Sequence, residues 1–175
     1  MSKTTIRFDL STSSINKAIK ELEAFRRNFL EKVDKYRVRI AEEVADIASL
    51  NFGSSMVDDI IKGGAPRKAD VSVSVSDRGS ISVVVADGED AVWCEFGAGV
   101  YHNGSVGTSP HPSGTELGFT IGSYGKGYGK GQAWGYYDES GGLIITRGTP
   151  ATMPMYNAAQ EVMRKAVEIA REVFG

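Results

Sequence analysis

The sequence predicts an α+β fold: an antiparallel β-meander packed against a long N-terminal helix, or two helices, and closed by a C-terminal helix. Three observations carry this. Apolar residues recur every three or four positions from Ile15 to Ile47 and again from Met155 to Val173, the spacing of one helix face. Apolar and polar residues alternate between Val71 and Val85, the spacing of half-buried strands. Fifteen of the 21 glycines fall in Gly97–Gly148, so that stretch reads as an insertion in the scaffold, with a Gly/Tyr-rich part over 97–142.

Taken in order, Ile6, Phe8 and Leu10 alternate with Arg7 and Asp9, which predicts a short first strand. Ser11 to Ser14 supply N-caps for the helix that follows. Its apolar face is Ile15, Ala18, Leu22, Phe25, Phe29, Val33, Tyr36, Ile40, Val44 and Ile47. The opposite face carries interleaved charges such as Lys17, Glu21, Arg27, Glu31 and Lys35, a solvated surface and not a phosphate-binding one. No Gly or Pro interrupts Ile15–Asn51. The pattern fits one long helix or two meeting near Asn28–Asp34, and the ordinary length of helices favours two. Gly53 is expected to end it in the left-handed region, Ser54–Ile61 to add a turn, and Lys62–Arg67 to form a loop.

Val71, Val73 and Val75 then alternate with Ser72, Ser74 and Ser76. After a turn at Asp77–Ser80, Ile81, Val83 and Val85 repeat the pattern as the second buried row of a hairpin. Ala91–Phe96 is read as a third strand, with Val92, Cys94 and Phe96 on one face and Trp93 and Glu95 on the other. In the glycine-rich tract, Leu117–Ile121 is a possible strand, and Gln132–Tyr137 pairs with Leu143–Thr146 around an acidic-Gly turn. Pro154 suits the first turn of the last helix, capped by Thr152 or Met153. That helix has Met155, Ala159, Val162, Ala166, Ile169 or Ala170, and Val173 on its core face.

With 175 residues, 41% hydrophobic and 24% charged, the chain reads as one domain over 1–175 with a sizeable core. A net charge of −2 argues against phosphate-backbone binding as its main work. One cysteine excludes an internal disulfide. The polar start and the absence of a long apolar run predict a soluble chain made in the cytoplasm, with no membrane partner.

No cofactor, metal or nucleotide site is expected. A phosphate loop fails because Gly122-Ser123-Tyr124-Gly125-Lys126-Gly127 runs on to Tyr128, and the dinucleotide pattern fails because Gly125 and Gly127 lead to Lys130. Cys94, His102 and His111 lack the spacing of a zinc site. A hydrolase using Cys94, His102 and Glu95 is the alternative from another class, although strand alternation sets Cys94 and Glu95 apart. Glu95 is expected to accept backbone N–H groups of the loop or to pair with Arg147. Tyr and Trp supply rigid amphipathic area and Gly permits close approach, so the tract suits protein contact. The interface candidates are Glu95, Phe96, Gly97, Tyr101, Tyr124, Tyr128, Trp134, Tyr136, Tyr137 and Arg147.

Three pieces in order resemble the tail-component, or head–tail joining (tail-completion), proteins of long-tailed phages and prophages. They are Val92-Trp93-Cys94-Glu95-Phe96-Gly97, Trp134-Gly135-Tyr136-Tyr137, and Thr146-Arg147-Gly148-Thr149-Pro150-Ala151-Thr152-Met153-Pro154-Met155. Family members commonly read Glu-Phe-Gly-Thr, where this chain has Ala98, and end the last motif in Pro-Phe, where it has Met155. The resemblance implies a tail-terminator-like fold and a virion structural protein without catalytic activity. It implies an oligomeric ring, plausibly six-fold, in the phage neck between head connector and tail tube, with DNA passing through the lumen. The host cytoplasm would be the place of assembly. Another phage minor structural protein, of the tail tube or the capsid, is the nearer alternative.

Overall fold

A computed structural model describes residues 5–57, 66–98, 109–119, 134–137, 140–146 and 148–175. The described elements run α1 (Thr12–Ser54), β1 (Met56–Val57), β2 (Arg67–Lys68), β3 (Ser72–Asp77), β4 (Ser82–Asp87), α2 (Ala91–Phe96), β5 (Trp134–Tyr137), β6 (Leu143–Thr146) and α3 (Pro154–Phe174). The fold is α+β, with three two-stranded antiparallel sheets among the described residues.

The N-terminal periodicity forms one helix of 43 residues, not two. At ~1.5 Å per residue α1 is about 65 Å long. Ser11 caps it, accepting the Ser14 N–H on its Oγ at 3.3 Å. Residues 5–10 form no strand: Asp9 instead bonds into the cap, accepting the Ser11 N–H at 2.8 Å. At the other end Gly53 stays helical, and Ser55 ends the helix with its N–H on Phe52 O. The residues after it do not add a turn. Met56 and Val57 pair with Lys68 and Arg67, and 58–65 lie outside the described residues.

α3 runs antiparallel along the C-terminal half of α1. Asn51 Nδ2 donates to Pro154 O at the start of α3 (3.1 Å), the Tyr36 hydroxyl to Ala166 O (3.2 Å), and Lys32 Nζ to Phe174 O at its end (3.4 Å). Phe174 packs on Phe29 and Tyr36, with ring centroids 5.9 and 6.0 Å apart. Ala41, Ala45 and Ala48 are buried on this half of α1, and Ala158, Val162 and Ile169 on α3. Small residues at helical spacing let the neighbouring backbones come close.

β3 and β4 form a hairpin on α1, with Val73 opposite Ala86 and Val75 opposite Val84. Val71, Val73 and Val75 face inward as their alternation predicts. The β4 reading is corrected by this register: Ile81, Val83 and Val85 are the outer row, 60, 37 and 42% exposed. Val83-Val84-Val85-Ala86 is apolar on both faces, so its own pattern selects neither, and pairing with β3 decides. Arg37 ties the hairpin end to α1 through Asp77 Oδ1 at 2.6 Å and through the Ser82 hydroxyl.

The expected third strand is also corrected. Ala91–Phe96 is a helix, so the meander has two strands. Ala91, Cys94 and Glu95 are its buried residues, spaced three and four apart as on one helix face. Six residues are too few to separate the two periods from sequence. The chain is turned into α2 by Gly88, at φ 142°, where a Cβ would lie 2.3 Å from Asp70 O. Phe52, Val57, Ala91 and Cys94 form the core, joined by Val71, Val73, Ala86 and Met155. The core thus sits where α1 ends, the hairpin begins, and α2 meets α3.

Candidate functional site

The residues of greatest chemical interest converge on the end of α2 and the start of α3. Asp90, only 4% exposed, anchors the front of α2. It takes a two-pronged contact from Arg67, Nη1 to Oδ2 at 2.6 Å and Nη2 to Oδ1 at 3.0 Å, and accepts the Asp70 N–H at 2.8 Å. A buried carboxylate needs such charge-assisted partners to offset its lost hydration.

At the other end of α2, Gly97 turns the chain at φ 81°. Ala98 and Thr149 exchange backbone bonds of 2.8 and 3.0 Å. Cys94 O accepts the N–H groups of Thr152 (2.8 Å) and Met153 (3.1 Å). Met153 lies in the left-handed region at φ 52° and stands at the N-cap of α3 without a side-chain cap bond. Glu95 supplies that cap from across the fold. Its two oxygens accept the Met155 N–H at 2.8 Å and the Tyr156 N–H at 2.9 Å. A carboxylate there satisfies two of the open donors of the helix and complements its dipole.

Residues 109–119 make a compact turn over this junction. The Ser109 hydroxyl donates to Phe96 O at 2.5 Å. Ser113 N–H donates to His111 Nδ1 at 3.1 Å. That bond assigns the ring proton of neutral His111 to Nε2, which stands 3.2 Å from Glu95 Oε1. Phe96 lies between rings: Phe119 is stacked at 4.1 Å and 3°, and His111 is tilted at 4.6 Å. Tyr156 meets the edge of His111 at 5.3 Å. His111 and Tyr156 as partners of Glu95, and Ser109 as a partner of Phe96, are contacts that sequence reasoning missed. The Pro110-His111-Pro112 turn was the available signal.

The arrangement joins elements and leaves Cys94 without the setting of a nucleophile. Burial, then the Asp90 charge, pushes its thiol up to about 11, and the residue is 0% exposed. It is protonated at neutral pH, whereas a nucleophilic cysteine needs its thiolate. The expected separation of Cys94 from Glu95 is corrected, since both lie on the buried face of α2. Glu95 does accept backbone N–H groups as expected, but those of α3. His102 and Arg147, the other proposed partners, lie outside the described residues.

Of the interface candidates, Glu95, Phe96 and Gly97 are brought together in this clasp. Trp134, Tyr136 and Tyr137 fall in β5, paired with Thr146, Ile144 and Leu143 of β6, as the hairpin pattern predicts. Tyr137 is 74% exposed. Tyr101, Tyr124 and Tyr128 lie outside the described residues. Leu117 and Gly118 belong to the turn over the clasp and not to a strand. Among the described residues no acidic, His or Cys cluster suited to a metal is found, and no helix is long and apolar enough to cross a membrane.

A second feature is an uncovered apolar surface. N-terminal to its contact with Phe174, α1 leaves Ile19, Leu22 and Phe25 about half exposed, and Leu30 beside that contact is as exposed. Comparison with family models, with curated proteins and with solved structures finds no match to the chain.

Proposed function

We propose that the chain is a structural protein of a phage virion, acting in the neck to join the head connector to the tail tube by assembling into a ring. The observation that carries this reading is the meeting of two of the three resembling motifs. Val92–Gly97 and Thr149–Met155 are more than 50 residues apart in sequence, yet they bond to each other at Cys94–Thr152 and Glu95–Met155, and Ala98, next after the first, bonds Thr149. Their residue types are used for holding α2, α3 and the 109–119 turn together. A protein that works by shape and contact needs such a clasp. The exposed apolar face of α1 and the exposed Tyr137 add surface suited to contacts with other subunits. In this reading the partners are further copies of the chain, plausibly six, with connector and tail-tube subunits, and DNA passes through the lumen. Assembly takes place in the host cytoplasm, and the chain needs no cofactor.

The test is negative-stain imaging with light-scattering mass, on the chain alone and mixed with tail-tube and connector subunits. The expected result is rings with a central hole, built from the 18.8 kDa chain, alone or on a tail end. Absence of rings together with absence of binding to either partner would overturn the reading.

A further inference from the structure

The exposed half of α1 carries an apolar seam that can pair with a copy of itself. Positions 15, 19, 22, 26, 29 and 33 advance in steps of four and three, the seam of a paired helix. Ile15, Ile19, Leu22, Phe29 and Val33 are 37–54% exposed there, Phe29 while one side of its ring packs on Phe174. Arg26 is the one charge in the row, and it too is exposed.

We infer that this face docks on the same face of a second copy, with the two helices antiparallel about a two-fold axis near position 24. The step order reads the same in both directions. An antiparallel pair therefore layers Ile15 on Val33 of the second copy, Ile19 on Phe29, and Leu22 on Arg26. A parallel pair in register would instead place Arg26 against Arg26 in the seam, two like charges at close range. The antiparallel pair sets each Arg26 beside Glu23 of the second copy, twice by symmetry, and brings Phe25 against Phe25 across the axis. The seam and its flanks leave Ile19, Leu22, Phe25 and Leu30 about half exposed, an apolar patch of the kind that marks a contact surface. A single helix pair buries only part of that surface, at the low end of what a specific association needs. The dimer is therefore reversible and depends on concentration. This pairing belongs to the free chain and does not rest on the neck assignment.

The test uses the full chain in sedimentation equilibrium over a concentration series. The expected species is a dimer of the 18.8 kDa chain. Leu22→Asp weakens it at least tenfold while circular dichroism stays helical. Leu10→Asp, 92% exposed and off the seam, leaves it unchanged. Orientation is read from single cysteines, since Cys94 is buried and silent. Ile15→Cys and Val33→Cys proteins, oxidised separately, stay unlinked, and the oxidised mixture links. A chain that remains monomeric throughout would overturn the inference. So would an association that Leu22→Asp leaves intact, or self-linking of either single-cysteine protein. A ring insensitive to Leu22→Asp sinks this inference and leaves the neck reading standing.

Discussion

The two halves of α1 share one apolar period and differ in what lies against it. From Tyr36 onward the helix is covered by α3 on one side and the β3–β4 hairpin on another, and Ala41, Ala45, Ala48 and Phe52 are buried. Before Phe29 the same period continues with Ala18 buried, while the larger Leu22 and Phe25 stay half exposed. Amphipathic spacing thus states that a face wants cover. It does not state whether the cover comes from the same chain.

The sharpest way to break this comparison is a matched pair of truncations. Phe52→Ala should lower stability by about 4 kcal/mol in urea denaturation, because a core cavity opens. Phe25→Ala, measured at a concentration where the chain is monomeric, should change it by less than about 0.5 kcal/mol. Comparable losses would mean that the exposed half is packed within the monomer, and the contrast would fail.

Next in size is the clasp. Glu95→Ala should cost about 3 kcal/mol, since it orphans the Met155 and Tyr156 N–H groups and removes the acceptor of His111. Glu95→Gln keeps one acceptor oxygen and should cost about 1 kcal/mol. Equal losses for the two would show that the shape of the residue matters and its cap bonds do not.

A smaller effect follows from Cys94. Its thiol is raised from 9.0 to about 11, chiefly by burial. The stability this provides is complete below pH 9.0 and is lost as pH rises towards about 11, because only the unfolded chain ionises readily there. Cys94→Ser should flatten that alkaline limb of the stability profile. A thiol reagent should leave native Cys94 unreacted at neutral pH and label it on unfolding.

The smallest effect lies at the exposed Asp77. The Arg37 hydrogen bond holds its carboxyl below the ordinary 3.8. Its contribution is complete above pH 3.8 and is lost as pH falls below that, so Asp77→Asn should lower stability slightly at neutral pH and flatten the fall below pH 3.8. An effect persisting at neutral pH and high salt would show that the hairpin is held to α1 by more than this ion pair.

Much of the scaffold was legible. Uninterrupted helical spacing marked α1, Pro154 marked the start of α3, and Val–Ser alternation marked the inner face of β3. The β5–β6 hairpin followed from two apolar runs around an acidic-Gly turn. Misreadings arose where a short window carried two periods. Val92-Trp93-Cys94-Glu95-Phe96 alternates like a strand, yet its buried residues Ala91, Cys94 and Glu95 are spaced like a helix. β4 is apolar on both faces, so its inward row had to come from register. The clasp was half visible: an acid before a glycine suggested backbone partners, but nothing local pointed to the first turn of a helix 60 residues away.

By itself, the sequence determined which segments are helical over many turns, where they start, and which face of each needs cover, because those properties depend on local spacing and capping. Only the tertiary structure decided that α1 is unbroken, that Ala91–Phe96 is helical, and that Glu95 caps α3. Those outcomes depend on contacts between distant residues. A short segment adopts whichever period its neighbours can bury, and a carboxylate finds the donors that the fold brings within reach.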